Sequence, residues 1–120
     1  MTKILAFAGS SRIDSFNRKL VKIAALGSES AEAKVTLAAF HGKVAAIMSA
    51  SPGGLGGLRG LVFLRMLLSN IGVMVLPGQQ TVPHASKAFG SDGSLIDAKK
   101  QKLVLNVGIK LVETVKKLKG

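Results

Sequence analysis

The chain of 120 residues predicts a single α/β domain (residues 1–120) built on a mainly parallel sheet. Three observations carry that expectation. Short apolar runs end in polar or glycine-rich loops. Stretches with apolar residues at helical spacing follow two of those loops. The order strand, loop, helix, strand then occurs twice over. With 48% hydrophobic residues the chain can build a core, and its length suits one domain rather than two.

Residues 3–8 form a short run ended by Gly9, as expected of a strand buried on both faces. The polar stretch 10–17 leads into Phe16, Leu20, Ile23 and Ala24 at helical spacing, with Arg18, Lys19 and Lys22 opposite. Ser15 suits the N-cap of that helix, and Gly27-Ser28 its end. Residues 34–40 read as a second strand, in which Val35, Leu37 and Ala39 alternate. Residues 43–48 read as a third, running into the glycine-rich stretch 49–57. A helix over 58–70 ends at Ile71-Gly72, and a fourth strand over 73–76 stops at Pro77-Gly78. Residues 79–94 read as irregular. Asp97 caps a last helix reaching 118, with Leu103, Val107, Leu111, Val115 and Leu118 on one face.

One junction does not fit. Only His41-Gly42 separates the second strand from the third, whereas parallel neighbours need a crossover of a dozen or more residues. Two residues reach roughly 7 Å, against ~17–20 Å for a strand of usual length. Either these strands form an antiparallel hairpin, or a crossover is missing.

Two stretches carry chemistry. Between the first strand and helix, Ser10, Ser11, Arg12, Ser15 and Asn17 bring hydroxyls, a guanidinium and an amide to a helix N-terminus, a collection suited to a phosphate monoester. It is neither a Walker loop nor a GxGxxG fingerprint, and an ordinary polar strand-to-helix turn explains it equally well. In the second, four glycines and Pro52 after a strand end allow close approach of backbone to a flat ligand, with a flexible loop as the plain alternative.

These residues resemble a family. Gly9, Ser10, Arg12, Ser15 and Asn17 match the Gly-Ser-x-Arg-x-x-Ser-x-Asn loop of NAD(P)H-dependent FMN reductases, which include quinone, azo-dye and chromate reductases. Residues 43–57 look like the loop that closes over the flavin in the same family. The 58–70 helix, the 73–77 strand, Val82-Pro83-His84-Ala85, Phe89 and Asp92-Gly93 look like its C-terminal half. The resemblance implies a flavodoxin-like three-layer α/β/α fold and an FMN-binding oxidoreductase, with NAD(P)H as co-substrate and a quinone-like electron acceptor. In such a protein hydride passes from nicotinamide to flavin N5 and on to the acceptor. The cofactor carries that chemistry, so no catalytic acid or base is assigned. Ser10, Arg12, Ser15 and Asn17, with the Phe16 backbone N–H, would hold the phosphate. Ser51, Pro52, Gly53, Gly54 and Gly56 would flank the ring. A homodimer or tetramer is expected on the same ground.

The chain departs from the family at one place. Members carry a further central strand and helix, with a Pro-Glu-Tyr-Asn type motif against the isoalloxazine ring, and this chain contains no Tyr. The absent βα unit, of order ~30 residues, falls near 38–42, the junction that fails the reach argument. A natural or engineered deletion, residues missing from this sequence, or a second chain that completes the sheet would each account for it. A non-catalytic flavodoxin-like scaffold with an incomplete flavin site is therefore the alternative function.

The remaining features exclude more than they assign. The absence of Cys excludes a disulfide framework and thiol-ligated zinc. His41 and His84 lack carboxylates at ligand spacing, so no metal site is expected, and His84 reads as a loop residue. Met48, Met66 and Met74 are expected in the core. The start of the chain lacks the long apolar stretch of a signal peptide, and residues 61–76 are too interrupted to span a membrane, so a cytoplasmic protein is expected. The net charge of +11 and the lysines of the last helix suggest a solvated basic face. A nucleic-acid-binding module is the sharper alternative, against which stands the lack of aromatics among those lysines.

Overall fold

The computed structural model describes residues 2–4, 16–31, 33–35 and 42–119. Along them run β1 (Thr2–Ile4), α1 (Phe16–Ser30), β2 (Ala33–Val35), β3 (Val44–Ala50), α2 (Leu58–Asn70), β4 (Met74–Val82), a short 3-10 turn (Ala85–Lys87) and α3 (Ala98–Leu118). β1 pairs with β2, and β3 with β4, both in parallel. The α/β class expected from the sequence is therefore present. Among the described residues the strands form two separate two-stranded ladders, and none joins β2 to β3. Of the junction near 38–42, where the sequence places the missing unit, residues 38–41 lie outside the described set.

β3 shows why its sequence is apolar throughout. Ala45 and Ile47 pack with Leu61, Leu68 and Val73 on the α2 side. Val44 and Ala46 meet Leu111 and Val112 of α3, while Met48 and Ala50 join the cluster of Leu20, Ile23 and Ala24 from α1. Alternate side chains enter opposite cores, which leaves no wet face.

Four expectations need correction. Gly27-Ser28 does not end α1, which runs to Ser30 with both residues buried inside it. They lie where α1 crosses α3. A Cβ on Gly27 would run into the Leu105 carbonyl, and one on Gly108 into the Ala24 carbonyl. Second, the inward face of α3 is shifted from the expected stripe, of which Leu111 is buried and Val107 and Val115 are half-buried. Val104, Gly108, Leu111 and Val112 are buried, while Leu103 and Leu118 are exposed. The glycine contact sets that rotation, and apolar periodicity does not register a glycine.

Third, Pro77-Gly78 does not stop β4. Pairing resumes at Gln79 opposite Ile47 after a register shift, so the breaker residues bulge out while the strand continues. Arg65 secures the bulge: Nη1 donates to the Leu76 carbonyl and Nη2 to Gln79 Oε1, both at 2.8 Å. Fourth, Met66 and Met74 lie on the surface. Other expectations hold. α2 ends at Ile71, followed by Gly72 at φ 88°. The Asp97 carboxylate caps α3, accepting from the Lys99 and Lys100 N–H groups at 2.9 and 3.3 Å. No helix among the described residues is long and apolar enough to cross a membrane.

Candidate functional site

The described part of the site gathers at the carboxyl ends of β3 and β4. Asn17, in the first turn of α1, accepts the Ala50 N–H on its Oδ1 at 2.9 Å, across 33 residues of sequence. That bond fixes the start of α1 to the last residue of β3. The stretch 51–57 leaves from there and leads directly into α2. Two helix N-termini therefore meet one glycine-rich loop at parallel strand ends, the place where open α/β sheets bind ligands.

The loop is stitched down. The Ser51 N–H donates to the Val82 carbonyl at 3.1 Å, the Ala85 N–H to the Ser51 carbonyl at 3.0 Å, and the His84 N–H to the Gly53 carbonyl at 3.1 Å. Ser49 Oγ donates to the Gly56 carbonyl. Gly56 has φ 63°, and a Cβ there would sit 2.8 Å from the Pro83 nitrogen. Only glycine allows that approach. The plain alternative of a flexible loop gives way to a shaped one.

Site residues from the sequence fare differently. Ser10, Arg12 and Ser15 lie outside the described residues. Phe16 is placed, but its ring stacks on Phe89 at 5.9 Å between centroids, with Lys19 Nζ within 6 Å of both rings. Its side chain is committed to packing, which leaves its backbone N–H for a ligand. Asn17 spends Oδ1 on Ala50 and keeps Nδ2 as a donor. Pro52, Gly53 and Gly54 are exposed, and a Cβ on Gly54 would meet nothing within 4 Å. Gly56 is buried and shapes the loop. His84 is an exposed residue in left-handed conformation ahead of the 3-10 turn.

Beside the loop opens a cavity of about 620 Å³. β3 lines it from Ala45 to Ala50 and the start of the loop adds Ser51. α1 and α3 close one side, α2 the other, and Ile4 of β1 also reaches it. Asn17, Ser49 and Ser51 bring polar atoms to one end, while Ile47, Leu61, Leu64 and Leu111 make the rest apolar. The volume is that of a small-molecule pocket. Ser49 and Gly57 of the glycine-rich stretch 49–57 belong to this lining though they are not among the residues expected to flank the ring, and Gly60 lies outside every stretch the sequence singled out. Ser49 carries the one usable signal, a hydroxyl interrupting the apolar strand two residues before Ser51. The adjoining 90–95 turn holds Asp92, which accepts from Ser94 Oγ at 2.8 Å and the Ser94 N–H at 3.1 Å. Those two bonds, the hydroxyl's first, hold its carboxyl below the usual range.

No protein-family model matches the sequence, and the curated proteins compared with it give no match.

Proposed function

We propose that this chain is an FMN-binding, NAD(P)H-dependent oxidoreductase of the flavin or quinone reductase type, with a flavodoxin-like fold and a cytoplasmic place of work. The single observation that carries this reading is the Asn17–Ala50 hydrogen bond. It joins Asn17, the last residue of the Gly-Ser-x-Arg-x-x-Ser-x-Asn stretch, to Ala50 at the head of the 51–57 loop, which supports reading the two motifs as parts of one site. The local chemistry fits the group. Asn17 offers an amide donor beside a helix N-terminus, and exposed Gly53 and Gly54 let backbone approach a flat ring. Ser10, Arg12, Ser15, Asn17 and the Phe16 N–H would hold the phosphate; Ser51, Pro52, Gly53 and Gly54 would flank the ring, with Gly56 setting the loop. When bound, FMN supplies hydride transfer from a nicotinamide to a quinone-like acceptor.

A titration of the full chain with FMN, followed by flavin fluorescence and by absorbance near ~450 nm, tests the reading. Asn17→Asp sharpens it. The aspartate keeps an oxygen for Ala50 but replaces the amide donor with a negative charge. FMN affinity is expected to fall about tenfold or more, the scale of one charge-assisted hydrogen bond, while the urea midpoint changes little.

The second reading is a non-catalytic flavodoxin-like scaffold with an incomplete flavin site. The cavity along β3 favours it, because Ile4 of one ladder and β3 of the other both line it and, among the described residues, the two ladders are not joined. On that reading the protein takes up phosphate or sulfate, ignores FMN, and oxidises no NADPH on FMN addition.

A further inference from the structure

We infer that the cavity beside β3 binds the carboxyl-terminal end of an extended apolar peptide, which adds to β3 as a strand. The inference does not depend on flavin binding. Among the described residues β3 uses only one of its edges. The Lys43 carbonyl accepts from the Met74 N–H at 2.9 Å, and the Ser51 N–H donates to the Val82 carbonyl at 3.1 Å. Odd-numbered residues therefore face β4, and the N–H and C=O groups of Val44, Ala46 and Met48 face the opposite edge. No strand pairs with that edge among the described residues. The Ala50 N–H lies on it too, and its partner Asn17 lines the cavity of about 620 Å³. The cavity thus borders the unpaired edge.

The walls select the occupant. Leu61, Leu64 and Leu68 of α2 line the cavity from one face of β3, and Val21, Ala24 and Leu111 of α1 and α3 from the other. A cavity that reaches both layers occupies the plane of the sheet. An extended peptide fits it, because alternate side chains enter both apolar layers while the backbone pairs with β3. A hydrocarbon chain leaves the edge groups unpaired. Asn17 and Ser28 both line the cavity, and their spacing on α1 is roughly 16 Å, the length of about five strand residues.

Charge sets the direction. Asn17 in the first turn of α1 and Gly57 and Gly60 at the start of α2 share one end of the cavity. No side chain caps α2. Two helix N-termini favour an anion there, and the net charge of +11 attracts one. A terminal carboxylate is the anion that an apolar peptide carries. Placed at the carboxyl end of β3, it makes the added strand run parallel to β3, as β4 does.

Fluorescence anisotropy with the full chain, in the absence of FMN, tests this. The probe is a peptide labelled at its amino end and ending in Val-Ala-Val-Ile-Val with a free carboxylate. Saturable binding is expected. The amidated peptide, and one N-methylated at two adjacent central residues, should each bind about tenfold or more weakly. Leu64→Glu, at a half-buried lining residue, should abolish binding with an unchanged circular dichroism spectrum. The peptide comparisons decide the matter if that variant misfolds. Phe63→Glu, at a side chain 71% exposed, should leave binding intact. No binding at ~1 mM peptide overturns the inference. So does equal affinity for acid and amide, indifference to N-methylation, or full binding by a folded Leu64→Glu chain. Displacement by decanoate as readily as by unlabelled peptide overturns it as well, and marks a lipid site.

Discussion

Gly27 and Gly108 decide how close α1 and α3 come, and each has the other helix's backbone where a Cβ would go. Gly108→Ala also places a methyl 2.7 Å from Ser28 Oγ, so the helices must part. A loss of about 1–3 kcal/mol in urea unfolding is expected. Gly60 is the contrast. It sits in the first turn of α2 with open space around it, and Gly60→Ala should gain ~0.5–1 kcal/mol in the same assay. Asp92 makes a pH-dependent claim. Its folded carboxyl titrates below the unfolded one, so its stabilisation of the turn is present above the unfolded value and lost as pH falls through the folded one. The Ser94 amide resonance should therefore stay fixed from neutrality to about pH 5 and move only in acid. Asp92→Asn should abolish that acid step.

At the scale of elements, the sequence was readable where the signal is local. The Asp97 cap and the Gly72 stop each work through neighbouring backbone, and both ends fall where expected. It misled where a distant group intervenes. Pro77 lacks an N–H and reads as a breaker, yet β4 continues because Arg65, eleven residues back, satisfies the Leu76 carbonyl that the bulge sets free. The rotation of α3 depends on a glycine of α1, which no periodicity in α3 encodes. Met66 fails for a related reason: a helix with apolar residues on both sides gives no sign of which side meets the sheet, while Met74 is the exposed first residue of β4. Removing the distant partner tests this account. Arg65→Met strands the Leu76 oxygen and should cost about 1–3 kcal/mol, with faster amide exchange confined to the second half of β4.

Across the whole molecule, the sequence located the candidate site better than it explained the sheet. Asn17 and the 51–57 loop were both singled out from residue type, and they meet at the strand ends. Their meeting was not legible, because a bond across 33 residues leaves no local trace. The charge of +11 reads as a solvated basic face, and the exposed lysines of α3 are spread along that helix, with Lys110 paired to Glu113. The junction near 38–42 remains the feature on which flavin binding turns. Titrating the full chain with FMN while following NADPH oxidation in the presence of a quinone addresses it most directly. Saturable quenching of flavin fluorescence at one FMN per chain, with NADPH consumed only when FMN is present, is the predicted result. A flavin signal unchanged through the titration, together with no NADPH consumption, would contradict it.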